Sequence, residues 1–374
     1  MTDPRPTSLT RPLGPGSRIR LRAAACLPER FPRVACRRCA DACPTAALSA
    51  GGAGPVLGDR CVGCGQCQVA CPTGALDVPG FPAQPPTVHG ALAIDCWRVP
   101  TSDSPKGALR LPCLGGLSTA ALLELTAAAG DGAPELLDRG FCRECPAGGE
   151  VHPVTARLAE AHRVLEAIGV PPERRPRLLS HRLPLARMAD HAGEPLMEGR
   201  LSRRALLTGG ADRPKQPAGT AASRTDEAGR RSERERLFAA LARLAPKREP
   251  PAWLFPEIIA SDACANHQVC ASACPTRALS PYRSEGAAGI RLNPSACAAC
   301  GLCVTLCPEQ ALSLTPSGLA DALRMARTLT RHAQRSCLEC GADYRGPGDV
   351  CPACEKDRDI ARDAFRTLFG AARL

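Results

Sequence analysis

Four cysteines fall within eleven residues at Cys61, Cys64, Cys67 and Cys71, and Pro72 follows the last. Three thiolates two residues apart wrap a tight loop around one 4Fe–4S cube, with backbone N–H groups turned toward its sulfurs. The fourth, freed by the proline, faces the opposite way and can serve a second cube. Buried structural thiols do not explain so dense a run. The same chemistry returns elsewhere. Cys297, Cys300, Cys303 and Cys307, with Pro308, repeat the complete pattern. Cys36, Cys39 and Cys43, with Pro44, carry its last three positions, while Arg33 stands in the first slot. Cys26 lies close enough upstream to supply the missing ligand through a longer loop; a three-thiolate cluster and an idle Cys26 are the alternatives. Cys264, Cys270 and Cys274 fill the first, third and fourth slots of a fourth run, and His267 occupies the second.

The elements between these runs repeat too. A helical turn (TAAL), a glycine-rich turn at Gly51–Gly54 and a short strand at Val56–Leu57 separate the first pair, and TGALDV after Pro72 again reads as turn and strand. Residues 26–78 therefore resemble a bacterial two-cluster ferredoxin. The segments CANHQVCASACPTRAL and CAACGLCVTLCPEQALSL answer CRRCADACPTAAL and CVGCGQCQVACPTGALDV, so residues 234–316 resemble a second such module. The resemblance implies ligand sets that cross between runs. One cube would take Cys26, Cys36, Cys39 and Cys71, and the next Cys43, Cys61, Cys64 and Cys67. In the second module the sets would be Cys264, Cys270 and Cys307, with His267 as a candidate fourth, and Cys274, Cys297, Cys300 and Cys303. Among ferredoxins, loss of the second cysteine often gives a 3Fe–4S cluster. Imidazole ligation by His267, which would raise the potential, and a cube with an external ligand are the other two readings.

A Pro-rich linker (79–90) leads to a change of periodicity. ALAIDCW, ALRLPCLGGL and PELLDRGFC read as strands that end at Cys96, Cys113 and Cys142, with Cys145 just beyond and a helix, STAALLELTAAA, between the second and third. Strands separated by a helix imply a parallel sheet, and such sheets collect functional groups at their carboxyl ends. Four thiolates on one rim predict a further 2Fe–2S or 4Fe–4S site; a small α/β domain with buried cysteines is the plainer alternative. LPCLGGL and the later C-x-x-C resemble the iron–sulfur subunits of hydrogenase and heterodisulfide reductase complexes. Val154, Leu158, Ala161, Leu165 and Ile168 keep helical spacing and predict a core-facing helix that closes a domain over 91–170.

Residues 171–233 read as linker, with His181 and His191 exposed. Arg203-Arg204 resembles a twin-arginine export signal, but no apolar run follows it, so export is not expected. Together with Pro250-Pro251-Ala252-Trp253 and the cluster runs, it resembles accessory ferredoxins of nitrate-reductase systems, which implies a docking role. ERERLFAALARL predicts a short helix at the start of the second ferredoxin module. Over 317–374 the pattern predicts a helix at Leu319–Leu329, then Cys337, Cys340, Cys351 and Cys354 as two C-x-x-C pairs, then a helix through Ile360, Ala364 and Leu368 that packs on this cysteine site or on a partner. All four positions are thiolate, which suits a closed, structural zinc site; the shape resembles a zinc ribbon, with mononuclear iron as the alternative.

At 374 residues, 44% apolar but only 3% aromatic, the chain predicts several small domains stiffened by something other than aromatic packing, and its 23 cysteines suggest metal. The predicted fold class is α+β and multidomain: two dicluster modules, a small parallel α/β domain between them, and a C-terminal zinc ribbon with flanking helices. Residues 1–25, rich in Pro and Arg, read as disordered. They contain no apolar signal-peptide core, and no stretch is long enough to span a membrane, which points to the cytoplasm. The formal charge of +11 does not make nucleic acid a partner. Four thiolates around a 2+ centre leave about −2 per site, so five or six loaded sites would add roughly −10 to −12. No dinucleotide loop, P-loop, nucleophile elbow or HExxH appears. The expectation is a one-electron relay that serves a partner oxidoreductase; the alternative is an accessory factor that docks and loads one.

Overall fold

The computed structural model describes residues 10–13, 17–52, 54–82, 86, 90–189, 232–284, 286–316, 325–344 and 348–369. The Arg203-Arg204 segment, His191 and the first part of the helix expected at Leu319–Leu329 lie outside them. The described chain is mixed α/β, with several small antiparallel sheets and one parallel sheet. It divides into two compact units: Met1–Leu254 with Ala298–Cys300, and Phe255–Cys297 with Gly301–Leu374. No described helix is long and apolar enough to cross a membrane.

The first unit opens with β1 (Thr10–Pro12) paired antiparallel to β2 (Arg20–Arg22). Over residues 10–13 and 17–25, the described part of the stretch expected to be disordered, this is a correction. Pro and Arg dominate their composition, yet Leu13, Ile19 and Leu21 alternate with polar residues and sink into a core with Leu48, Leu76 and Val78. Then follow α1 (Leu27–Arg30), α2 (Arg38–Asp41), β3 (Leu48–Gly51), β4 (Gly54–Leu57), α3 (Gln66–Ala70) and β5 (Leu76–Asp77). β3 and β4 form a hairpin, and β5 adds to β2.

The rest of this unit is built on a parallel sheet. Its elements are β6 (Leu92–Cys96), β7 (Leu109–Leu111), α4 (Thr119–Ala128), β8 (Pro134–Asp138), α5 (Thr155–Ala167) and β9 (Arg177–Ser180). The strand order is β7-β6-β8-β9, every pair parallel. β9 lies past the boundary expected at residue 170; its short run of Arg-Leu-Leu-Ser shows no alternation, and only pairing with β8 reveals it. A second correction concerns α6 (Glu233–Leu244), expected to open the second ferredoxin module. A Ser232/Glu235 capping box starts it, and Leu237, Ala240 and Leu241 are buried. Arg236 Nε lies 3.1 Å from both carboxylate oxygens of Glu124 on α4, which ties the helix to the parallel-sheet domain. Trp253 returns to the same domain, with the Arg163 guanidinium 4.7 Å above its ring.

The second unit contains β10 (Glu257–Ala260), α7 (Val269–Ala273), β11 (Leu279–Ser284), β12 (Ala287–Leu292), α8 (Leu302–Thr305) and β13 (Leu312–Thr315). β14 (Arg327–Ala333), β15 (Arg335–Ser336), β16 (Asp343–Tyr344) and α9 (Pro352–Phe369) complete it. β10 pairs with β13, and β12 sits between β11 and β14. Helix was expected as far as Leu329, but Arg327–Ala333 is strand. The buried Thr330 hydroxyl accepts the Ile290 N–H, and Gly289 lets the chains close up: a Cβ there would lie 1.9 Å from the Thr330 carbonyl oxygen. Leu312, Ile258, Ile290 and Leu292 form the core of this unit with cysteines. α9 forms as a helix, and Ile360 and Leu368, expected to pack on the cysteine site or on a partner, are exposed within this chain, as is Phe365.

Leu136, at the centre of the parallel sheet, is fully buried. Leu136→Ala is expected to destabilise that domain by about 2–5 kcal/mol through lost burial and the cavity left behind. A thermal melt followed by circular dichroism should show its transition fall.

Candidate functional site

Each cysteine run places its thiols at the mouth of a short helix, where the chain turns sharply. Gly65 precedes α3 at φ +78°, a left-handed position that glycine adopts without strain. Burial pushes the Cys26 thiol up to about 11, and the nearby Cys71 and Cys36 thiols add like charge. Cys39 is likewise raised to about 11 by burial, then by Cys71, Cys36 and Cys26. These four sulfurs thus share one neighbourhood, and Cys26 stands in it although Arg33 has taken the usual slot. Cys71 Sγ accepts the Ala75 N–H at 3.2 Å.

Cys43, Cys61, Cys64 and Cys67 line one cavity with Pro44, Val62 and Gly63. Burial raises Cys61, raises Cys64 to about 11 and raises Cys67 further still, and the Cys43, Cys61 and Cys64 thiols add to it. Cys43 differs. Burial opposes its ionisation, but the Thr45 hydroxyl and the N–H groups of Leu48, Thr45 and Ala47 outweigh that and lower it. The last cysteine of each run therefore faces the other run's set. A crossing of this kind brings the two neighbourhoods together, and Cys39 adds like charge to Cys67.

The parallel-sheet domain gathers a third quartet. Cys96 ends β6, Cys113 follows β7, and Cys142 and Cys145 follow β8; all four line one cavity with Arg98, Arg139 and His152. Burial raises Cys96 to about 11 and Cys142 to about 12, and Cys113 higher. Beneath them Asp95, fully buried, accepts two bonds from Arg139, from Nη2 at 2.7 Å and Nε at 3.3 Å. This pair joins the end of β6 to the loop after β8 and so holds Cys96 and Cys142 on one rim. Arg98 Nε is buried without a hydrogen-bond partner in this cavity wall. Sequence reading missed these charged residues; an aspartate inside the apolar run ALAIDC was the available signal.

In the second unit burial raises Cys270 to about 11, with Cys264 and Cys307 adding like charge, and Cys307 Sγ accepts the Ala311 N–H at 3.3 Å. Cys297 and Cys303 are buried in the same core and Cys274 packs against it; Cys300, which falls in the first unit, is half-buried. His267 is exposed, and its Nε2 lies 3.0 Å from the Glu309 carboxylate, so that nitrogen is already engaged. His181 lies on the exposed surface. At the C-terminal end the thiols of Cys337, Cys340, Cys351 and Cys354 all lie within 4.8 Å of one another beside the β15–β16 hairpin. The N–H groups of Cys340 and Cys351 pull Cys337 down to about 6, while hydrogen bonding to Cys351 raises Cys354.

The donor chemistry is uniform. Soft sulfur ligands, held in small cavities and met by backbone N–H donors, suit iron–sulfur clusters or zinc. A low-dielectric interior disfavours thiolates until a cation compensates them, so these sites fit bound metal better than free thiols. The unpartnered Nε of Arg98, which lines the same cavity as the thiols, fits an anionic group there.

Comparison with known families agrees with the geometry. Residues 32–75 match a 4Fe–4S dicluster domain, and residues 290–313 match a 4Fe–4S binding domain. The chain carries two 4Fe–4S ferredoxin-type domains. The first match spans seven of the eight cysteines of the two crossing sets, Cys26 lying upstream of it, and the second spans Cys297, Cys300, Cys303 and Cys307. No curated protein matches the chain.

Asp95→Ala leaves the Arg139 charge buried and unpaired, which is expected to cost the parallel-sheet domain about 3–5 kcal/mol. Denaturant unfolding of the purified variant should report the loss, with Asp95→Asn less affected because it keeps an acceptor.

Proposed function

We propose that the chain is an iron–sulfur electron carrier that passes single electrons between a donor and a partner oxidoreductase. The observation that carries this reading is the succession of cysteine quartets in the first unit. Cys39 of one neighbours Cys67 of the next, and Cys64 of that one neighbours Cys113 on the parallel-sheet rim. Clusters bound at these sites would supply one-electron chemistry, with 4Fe–4S in the matched domains and a 2Fe–2S or 4Fe–4S group on the rim.

What the chain's own residues do is hold and tune. Thr45 and the N–H groups around Cys43 favour the ionised sulfur, and the N–H groups of Ala75 and Ala311 donate to the sulfurs of Cys71 and Cys307. Hydrogen bonds to sulfur and burial set potentials, so the quartets differ because their donors differ. Arg33 and His267, in slots that cysteine fills elsewhere, are the further sources of difference. The Cys337, Cys340, Cys351 and Cys354 quartet, thiolate at every position, would hold zinc as a closed structural site. In this reading the partner performs the catalysis.

Anaerobic purification followed by iron, acid-labile sulfide and zinc counting tests the reading. Expected are iron and sulfide beyond the capacity of the two matched domains, and zinc that disappears in Cys340→Ser while iron stays. Redox titration followed by EPR should show separate one-electron steps. A folded, iron-free protein overturns the proposal, and irreversible transfer of iron to an apo-oxidoreductase would make the chain an accessory loading factor instead.

A further inference from the structure

The second ferredoxin quartet and the rim quartet meet along a seam made of glycine. Gly115 and Gly116 follow Cys113, and Gly65 follows Cys64. A Cβ on Gly116 would lie 2.6 Å from the Cys64 carbonyl oxygen and 2.1 Å from the Phe81 ring. On Gly65 it would lie 2.4 Å from Phe81 and 3.3 Å from the Gly116 Cα, and on Gly115 2.7 Å from Pro153 and 3.3 Å from Gln66 Nε2. Gly65 has positive φ, so its turn needs glycine in any case; Gly115 and Gly116 do not. Their lack of a side chain answers to space alone. It lets the backbone carrying Cys113 touch the backbone carrying Cys64.

Two further contacts lock the seam. Gln66, within the Cys64–Cys67 loop, donates its Nε2 hydrogen to the Ala147 carbonyl at 2.7 Å, two residues past Cys145. Gly115 N–H lies 3.3 Å from Cys113 Sγ, so the residue that packs on Gln66 also meets the rim thiol. Phe81 closes the side of the seam against both glycines. Backbones in such close contact leave no space for a side chain between them and move little. Electron tunnelling weakens steeply with distance and weakens more across a gap than through packed atoms.

From this we infer that the Gly65–Gly116 seam, clamped by Phe81 and Gln66, is the junction through which an electron crosses between the Cys43/Cys61/Cys64/Cys67 site and the Cys96/Cys113/Cys142/Cys145 site. The step moves one electron and makes or breaks no bond; one site is oxidised as the other is reduced. Gly116 and Gln66 act as positioning residues. The inference rests on the electron-carrier reading above and adds to it the order in which the sites connect.

The test uses the full chain purified without oxygen, with Gly116→Ala, Gln66→Ala and Cys142→Ser beside the wild type. In the wild type, EPR of the fully reduced protein should show magnetic interaction between the two sites, absent in Cys142→Ser. Gly116→Ala should keep the iron content and each site's midpoint potential but weaken that interaction and slow electron equilibration after flash reduction; Gln66→Ala should do so more mildly. Wild-type protein with both sites filled and no interaction overturns the inference, as does a Gly116→Ala variant with unchanged interaction and rate. If Gly116→Ala fails to fold, the wild-type spectrum and Gln66→Ala decide alone. Iron content unchanged in Cys142→Ser would instead count against the rim cluster, and so against the carrier reading as stated.

Discussion

Taking a thiolate out of water governs how this molecule is made. A sulfur anion in a low-dielectric interior is disfavoured unless a cation or a set of N–H donors stands against it. Burial raises the thiols of Cys26, Cys39, Cys64, Cys96, Cys142 and Cys270, and Cys26, Cys39 and Cys270 sit in or against small cores made largely of aliphatic residues. With aromatics at 3% of the sequence, the buried apolar residues are mostly aliphatic. The proposed metal and the fold then depend on each other, because binding at such sites is also folding free energy.

The same constraint explains the local architecture. Sulfurs that must converge come from loops, short helices and a strand end rather than strand interiors, where the chain can turn its N–H groups inward. In the ferredoxin-type domain each helix mouth supplies most of a set, and the last cysteine of the run is lent to its neighbour. In the parallel sheet the carboxyl ends of β6 and β8 and the loop after β7 do the equivalent work, with Asp95 and Arg139 tying two of them from below. Both arrangements leave thiols close to a wall shared with the next set.

The sequence made some features plain and hid others, for definite reasons. Cysteine spacing declared the ferredoxin-type domains, because ligand geometry allows few alternatives. Strands ending at Cys96 and near Cys113 and Cys142 were readable as apolar runs between turn residues. β2 was not, since Arg20 and Arg22 flank its one buried leucine. Arg327–Leu329, the start of β14, end a run of Ala, Leu, Met and Arg that reads as helix, and become strand because β12 offers an edge that Thr330 and Gly289 fit. α6 is amphipathic in any reading; its partner is set by Glu124, more than a hundred residues away.

The sequence by itself therefore determined the chemistry: how many thiols, at which spacings, and hence which class of metal they suit. Ligand spacing is a local property, and local properties survive in one dimension. Tertiary structure alone decided which sets adjoin, that Cys26 joins Cys36, Cys39 and Cys71, and that Gly116 rests on Cys64. Those facts depend on packing between segments distant in the chain, where the space available to a side chain is known only once both surfaces are in place.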